Sequence, residues 1–191
     1  MMRLVGISGS LRSKGNTETA VRYALAQGEA ADFQTEFISL AGLQIQDCHN
    51  CGVCPAAACP IADDVPRILE ALLRADAILI GTPVYFGDIS GALKCVLDRC
   101  VSLKRDGRKL AGKVATGLAV GSSWGHSRAL ETVHHFILGQ GMIPCPVRAL
   151  PGMGLQLHAN AKGDLKDDPS ALNGIPPLMS DLAHLCGLVR L

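Results

Sequence analysis

Four cysteines lie close together in one segment of this 191-residue chain and carry the side chains best able to hold a metal. They are Cys48, Cys51, Cys54 and Cys59, in the pattern C-x2-C-x2-C-x4-C. Four thiolates at this spacing can enclose one metal centre, and ligation by four cysteines is the norm for iron–sulfur clusters. All-cysteine zinc sites usually have two C-x2-C pairs separated by a longer span, which counts against zinc. Three interpretations stay open at this point: an iron–sulfur cluster, free or reversibly oxidised thiols, and zinc.

A second set of polar residues follows the first apolar run of the chain. It comprises Ser8, Ser10, Arg12, Asn16 and Thr17, which offer hydroxyl, guanidinium and amide donors. The segment leads into a predicted helix, whose first N–H groups and dipole favour an anion. The absence of G-x-x-x-x-G-K-S/T and of G-x-G-x-x-G argues against a P-loop and a dinucleotide-binding fingerprint. The pattern predicts a phosphate-binding loop, and the alternative is a polar turn that caps a helix.

Aromatic residues stand in two later loops, each of which follows an apolar run. The first loop contains Pro83, Val84, Tyr85, Phe86 and Gly87, and the second contains Gly121, Ser122 and Trp124. Aromatic side chains on ligand-facing loops suit a flat, mostly apolar ring. The alternatives are a partner interface for Trp124 and ordinary packing for Tyr85. No carboxylate or histidine is placed well enough for us to assign a catalytic acid or base.

The elements that must position these loops alternate between strand and helix patterns. Short apolar runs predict strands over 3–7, 33–40, 77–80, 113–120 and 145–150. Helical spacing predicts helices over 17–27 and 127–138, two more behind the capping residues Asp63-Asp64 and Ser90, and an amphipathic C-terminal helix. This order predicts an α/β fold with a doubly wound, five-stranded parallel sheet covered on both faces. Ligands of such sheets bind outside the carboxyl ends of the strands, where all three loops are expected.

Composition excludes several classes of function. Lys and Arg number 18 against 17 Asp and Glu, which gives no electrostatic footprint for nucleic acid or an anionic membrane. No apolar run reaches the roughly 18 residues of a membrane span, and the N-terminus lacks a signal-peptide pattern, so we expect a cytoplasmic protein. The length favours a single domain over 1–191, with 48–59 as a cysteine-rich loop. The segment 152–172 is interpreted either as a lid or as a long surface loop.

Two strings carry a specific resemblance. They are the segment from Gly9 to Thr17 and the segment that begins Gly-Thr-Pro-Val-Tyr-Phe-Gly at Gly81 and runs to Lys94, followed by Asp98-Arg99. Both resemble the NADPH-dependent FMN reductase family of flavodoxin-like proteins, which implies a three-layer sandwich. The cysteine segment resembles the loop of the iron–sulfur flavoproteins, a branch of that family that holds a 4Fe–4S cluster there. In relatives the fourth loop is rich in glycine, whereas in this chain it carries the bulky side chain of Trp124.

The resemblance implies both a cofactor and a reaction. FMN would place its phosphate on the loop from Ser8 to Thr17 and its ring against 83–87 and 121–122. Electrons would pass from NAD(P)H, or from reduced ferredoxin, to a flavin, quinone or protein acceptor in a homodimer or homotetramer. The rival interpretations are a non-enzymatic flavin and iron–sulfur electron-transfer protein and a redox-sensing binding module.

Overall fold

The computed structural model describes residues 1–56, 58–146, 154–167 and 169–189. The strands are β1 (Met2–Ser8), β2 (Phe33–Ser39), β3 (Ala77–Pro83), β4 (Val114–Gly121), β5 (Ile143–Pro144) and β6 (Leu155–His158). The helices are α1 (Asn16–Glu29), α2 (Val65–Arg74), α3 (Gly91–Arg99), α4 (Val101–Arg105), α5 (His126–Gly139), α6 (Asp164–Asp167) and α7 (Ile175–Val189), with a 3-10 turn at Pro169–Leu172. Among the described helices, none has both the length and the apolar character needed to span a bilayer.

All strand pairs in the sheet are parallel, in the order β2-β1-β3-β4-β5, and β6 also pairs with β4. The predicted doubly wound α/β fold is confirmed. The predicted number of strands is wrong, because two short strands share the fifth position. β5 pairs with the first residues of β4, at Val114 and Ala115, and β6 pairs with its last four residues.

The prediction of a strand over 145–150 is also wrong for the two residues of it that the structure describes. Cys145 and Pro146 follow β5 rather than begin a strand, and 147–150 lie outside the described residues. Prolines at 144 and 146 lack the N–H that a ladder requires, so regular pairing stops after the N–H of Cys145 donates to the carbonyl of Ala115 at 2.8 Å. The strand that sequence analysis missed, β6, alternates buried and exposed residues.

Side chains of the sheet enter two separate cores, one on each face. Leu4 and Leu79 pack with α1 and α7, whereas Val5 and Ile80 pack with α2, α3 and α5. A strand whose residues alternate between two buried environments is apolar along nearly its whole length, as is typical of parallel sheets. The three-layer sandwich implied by the resemblance is therefore present.

The chain segments that leave β1 and β3 are joined by hydrogen bonds. The N–H of Gly9 donates to the carbonyl of Gly81 at 2.7 Å, and the Oγ of Ser90 donates to the carbonyl of Gly9 at 2.5 Å. Ser90 also accepts the N–H of Leu93 and thereby caps α3. A Cβ on Gly81 would lie 2.3 Å from the side chain of Val21, so only glycine lets α1 approach here. These contacts hold the first and third loops together where the strand order reverses.

A buried ion pair closes the cysteine-rich loop. Asp63 and Arg99 meet at 2.9 Å with side chains that are 0% and 4% exposed. Asp63 also accepts the N–H of Gln46 at 2.9 Å, and Arg99 donates to the carbonyl of Gln46 at 3.3 Å. Burial alone would raise the pKa of Asp63, but the hydrogen bonds from Gln46 and Arg99 outweigh burial and hold the pKa below its ordinary value. The two ends of the loop are thus fixed to each other and to α3.

We expect Asp63→Ala to lower the free energy of unfolding by about 3–5 kcal/mol, because it leaves Arg99 buried without its charge partner. Urea denaturation at neutral pH measures this change as a lower midpoint. Asp98→Ala is the matched control, since its pair with Lys94 is about half exposed on both sides and is worth less than about 1 kcal/mol. Equal effects of the two substitutions would contradict the assignment.

The same carboxylate predicts an acid limb of stability. Because the folded-state pKa of Asp63 is depressed, its contribution is complete above the ordinary carboxyl pKa of 3.8 and is lost as pH falls through the lower folded-state value. The stability difference between wild type and Asp63→Asn should therefore shrink in that range.

Candidate functional site

A cavity of about 170 Å³ opens at the carboxyl edge of the sheet. It is lined by Ser10, Arg12, Gly15, Asn16, Thr17, Pro83, Val84, Tyr85, Val120, Gly121, Ser122 and residues 159–162. Nine of these are residues that the sequence predicted to bind a cofactor, drawn from the loops after β1, β3 and β4. The structure therefore brings the three predicted loops to one site.

The end of the cavity formed by the β1–α1 loop suits an anion. The Oγ of Ser10 accepts the N–H of Arg12 at 3.1 Å, and the N–H of Gly15 donates to the carbonyl of Arg12 at 3.3 Å, so the loop folds back on itself. No side chain caps the N-terminus of α1. Its first-turn N–H groups and the positive end of its dipole are thus left facing the loop.

One carboxylate lies in the first turn of α1, and its charge is compensated. Glu18 accepts a hydrogen bond from Nε of Arg22 at 2.8 Å and from the N–H of Lys14 at 2.9 Å. Burial alone would raise the pKa of Glu18, but these partners outweigh burial and lower the pKa. Glu18 is therefore ionised and paired, and does not line the cavity.

Ser8 provides the test of whether a polar ligand fits here. It ends β1 and is fully buried, and within the described ranges its Oγ has no hydrogen-bond partner. An unpaired buried hydroxyl costs about 1–3 kcal/mol, so such groups are normally satisfied by something. Ser8 does not line the cavity, so a ligand there does not satisfy its hydroxyl. Ser10, Arg12 and Thr17 do line the cavity, and their donors suit a polar ligand.

The aromatic residues after β3 form a tight turn beside the cavity. Tyr85 and Asp88 exchange backbone hydrogen bonds of 2.9 and 3.2 Å, and the central residues Phe86 and Gly87 have φ of 47° and 82°. Positive φ at both central positions is the type I′ geometry. Phe86 is 99% exposed, and a left-handed backbone at a non-glycine residue is uncommon enough to point to function.

Trp124 packs on this turn from the fourth loop. Its ring occupies the space over Gly87, where a Cβ would lie 2.4 Å from the ring, and it meets Phe86 edge to face at 6.2 Å. Trp124 is 62% exposed. Phe86, Gly87 and Trp124 do not line the cavity itself. Phe86 and Trp124 form an exposed aromatic rim next to Tyr85, outside the cavity lining.

Two histidines connect the fourth loop to β6. Nε2 of His126 lies 3.1 Å from the carbonyl of Leu157, and the rings of His126 and His158 are 4.4 Å apart. Burial and the neighbouring His158 lower the pKa of His126, although the carbonyls of Leu157 and Gly121 oppose that shift. His126 is therefore a neutral, structural hydrogen-bonding residue.

The C-terminal part of the chain supplies a wall of the cavity that sequence analysis did not predict. Residues 159–162 follow β6 and lie opposite the β1–α1 loop. Only the pairing of β6 with β4 brings them there, and no local pattern reveals a pairing between such distant strands. The described parts of 152–172 contain β6, α6 and a 3-10 turn, so this is not a long loop without secondary structure.

The four clustered cysteines line a second cavity, of about 380 Å³. It lies along one side of α2 from Pro66 to Leu73 and reaches the junction of α3 and α4 from Arg99 to Asp106. It shares no lining residue with the first cavity. Although the loop starts at the carboxyl edge, its cysteines lie against the helices.

The donor set in this second cavity suits a thiolate-held cofactor. All four thiols are unbridged, and Arg105 approaches Sγ of Cys54 at 3.7 Å while Arg99 lies close enough to Cys48 and Cys59 to interact with them. Two arginines offset part of the negative charge that thiolate ligands bring. Among the described residues, no three potential ligands yet converge on one point, so binding would require the loop to close.

Of the four other cysteines, three pack as small apolar residues, and Cys95 on α3 is half-buried. Cys100, Cys145 and Cys186 are buried in the two cores. Burial raises the pKa of the Cys100 thiol to about 12, so it stays protonated.

Comparison with known proteins identifies the family. Residues 2–151 match the family described as NADPH-dependent FMN reductase. An iron–sulfur flavoprotein of Methanocaldococcus jannaschii is 38% identical over 99% of this chain and 100% of its own length. An iron–sulfur flavoprotein of Methanosarcina thermophila is 34% identical over 74% of this chain and 76% of its own length.

Solved structures agree on the fold. RosB, solved with a bound 8-demethyl-8-formylriboflavin-5'-phosphate, superposes with a TM-score of 0.78 over 100% of this chain and 81% of its own, at 17% identity. A WrbA-like flavodoxin from Agrobacterium tumefaciens gives a TM-score of 0.63 over 100% of this chain and 98% of its own, also at 17% identity. This chain belongs to the NADPH-dependent FMN reductase family and is an FMN-dependent oxidoreductase.

Proposed function

We propose that FMN bound in the carboxyl-edge cavity takes electrons from NAD(P)H and passes them to a flavin, a quinone or a protein acceptor. The observation that carries the proposal is the convergence of three strand-end loops on one cavity, beside the N-terminus of α1, which no side chain of the described residues caps. Ser10, Arg12 and Thr17 would hold the phosphate, while Pro83, Tyr85 and Gly121 would flank the ring. When bound, the flavin supplies hydride acceptance and the release of electrons singly or in pairs.

The residues of this chain would bind, orient and shield the cofactor. Tyr85 and Ser122 stand where the cavity meets the aromatic rim, so they are placed to orient the ring against the backbone of Gly121. The rim of Phe86 and Trp124 would receive the nicotinamide, because a hydride donor must come within about 3–3.5 Å of the ring. The same exposed rim would suit a contact between subunits of a homodimer or homotetramer.

We propose further that Cys48, Cys51, Cys54 and Cys59 hold a 4Fe–4S cluster. Support comes from the shared cavity, the two arginines beside it and the relatives named iron–sulfur flavoproteins. Such a cluster would supply one-electron transfer. The second candidate function, an electron-transfer protein that exchanges with ferredoxin, is favoured by the same cavity, because thiolate-held clusters serve single-electron partners.

We expect the purified protein to carry about one FMN per chain, or to take up FMN from solution. Arg12→Ala should weaken binding by about 1.5–3 kcal/mol, roughly 10-fold to 150-fold in Kd, because it removes a charge-assisted hydrogen bond. Quenching of flavin fluorescence measures the Kd. Arg67→Ala, an exposed arginine on α2 outside the cavity, is the control and should leave the Kd unchanged. Wild-type protein that binds no FMN would refute the proposed function.

After anaerobic purification, iron and acid-labile sulfide should each approach about four per chain, with broad absorbance beside the flavin bands. Cys51→Ala should abolish both while FMN stays bound, because the two cavities share no lining residue. Cys95→Ala, a cysteine on α3 outside the loop, should retain both. Stoichiometric zinc, or four titratable thiols in protein never exposed to air, would decide for one of the other interpretations.

NAD(P)H should bleach the flavin in anaerobic stopped-flow with saturable kinetics, because the aromatic rim lies outside the cavity lining. Trp124→Ala should raise the apparent dissociation constant for NAD(P)H by about fivefold or more, as expected for the loss of one aromatic stacking partner. Trp124→Phe should restore most of the affinity.

Two outcomes would count against this arrangement. If Trp124→Ala instead accelerates bleaching from a slow baseline, the indole closes the cavity. If neither nicotinamide reduces wild type or variant while reduced ferredoxin bleaches both quickly, the electron-transfer interpretation replaces the reductase.

A further inference from the structure

The β1–α1 loop has an incomplete charge balance for a flavin phosphate. A phosphate monoester carries about −1.5 to −2 charges at neutral pH. Arg12 is the only cation that this loop contributes to the cavity lining, since Lys14 does not line it. The other cation of the cavity lining comes from another part of the chain.

Lys162, on the wall formed by residues 159–162, is the other cationic residue of the cavity lining. It lines the cavity together with Ala159, Asn160 and Ala161. Across the described ranges, Lys162 forms no ion pair, and no carboxylate lines this cavity. The nearest carboxylate on its own segment, Asp164, is engaged in accepting the N–H groups of Asn160 and Ala161 at 2.7 Å each.

Asn16 holds this wall in place. Its Nδ2 donates to the carbonyl of Ala161 at 2.7 Å, and its Oδ1 accepts the N–H of Gly163 at 2.9 Å and that of Leu165 at 3.5 Å. Bonds to the residues on both sides of Lys162 fix the backbone that carries the lysine. An asparagine amide used in this way has its carbonyl oxygen and one N–H occupied, so its side chain acts on the wall rather than as a primary phosphate ligand.

The residues on either side of the wall also hold it in place. Leu165 is 1% exposed and packs in the core beneath α1 and α7, and β6 pairs with β4 immediately before the wall begins. Gly163, with φ of 104°, allows the chain to turn directly after Lys162. The lysine is therefore carried by a short turn held at both ends.

We propose that Lys162 is the second cation of the flavin phosphate site and that Asn16 is the positioning residue that keeps it there. This inference rests on the proposed FMN site. It assigns to Lys162 the discrimination between FMN and unphosphorylated riboflavin, which lacks the charge that the lysine would meet.

The test compares the affinities for FMN and riboflavin in the full-length protein. Lys162→Met, which removes the charge and keeps the chain length, should raise the Kd for FMN by about 10-fold to 100-fold and change the Kd for riboflavin by less than about twofold. Lys162→Arg should keep most of the discrimination. Lys166→Met, an exposed lysine on α6 that does not line the cavity, is the matched control and should leave both Kd values unchanged. In wild type, added salt should lower the ratio of FMN to riboflavin affinity more steeply than in Lys162→Met.

A double-mutant cycle tests Asn16. If Asn16 acts through Lys162, Lys162→Met should cost much less in an Asn16→Ala background than in wild type. Additive effects would mean that Asn16 acts independently, and they would overturn the positioning role.

The remaining outcomes separate this inference from the function on which it rests. Wild type that binds FMN, with an unchanged ratio of FMN to riboflavin affinity in Lys162→Met, would overturn the assignment and leave the proposed function standing. A rise in KM for NADPH relative to NADH, with FMN affinity unchanged, would place the lysine on the phosphate of the nicotinamide and would also overturn it. Wild type that binds neither flavin would refute both.

Discussion

The hydrogen bond from Gly9 to Gly81 is the contact on which the site depends. It joins the chain leaving β1 to the chain leaving β3 at the point where the strand order reverses. Ser90 adds a second bond to Gly9 and begins α3 in the same contact. Because backbone groups make most of these bonds, the side chains of the loops stay available for a ligand. The short distances require glycine, since a Cβ on Gly9 would lie 2.9 Å from Leu93.

Helix α3 connects the two cavities of the molecule. Its N-terminus is fixed to the β1–α1 loop through Ser90, and its C-terminus carries Arg99, which holds the cysteine loop through Asp63. A nine-residue helix spans roughly 13 Å. Helix α3 is thus joined to the β1–α1 loop at one end and lines the second cavity at the other.

The sequence predicted the parts of the structure that local patterns and strand ends determine. The four long strands, the cap at Ser90 and the convergence of three loops follow from apolar runs, capping residues and the rule that parallel strands end at one edge. Three features did not follow. β6 and the wall at Lys162 depend on a pairing between strands far apart in the sequence, the path of the cysteine loop depends on a buried ion pair, and the exposure of Phe86 depends on an unusual backbone. The four residues of β6 alternate apolar and polar, but such a short pattern does not reveal which strand it pairs with, and the other two features leave no periodic signal.

Residues from both the N-terminal and the C-terminal part of the chain line the cavity, and this affects how the site forms. Arg12 and Lys162 line one cavity, and the parts of the chain that carry them are joined by the pairing of β6 with β4, the hydrogen bonds of Asn16 and the packing of Leu165. A ligand that contacts both walls binds only the state in which those pairings are made, and it therefore stabilises that state in proportion to RT ln(1 + [L]/Kd). The anion would act as a cross-link between the first loop and the last strand. Such a link would add to the hydrogen bonds of Asn16 and the burial of Leu165, and it would strengthen the contact between the first loop and the β6 wall rather than the central sheet.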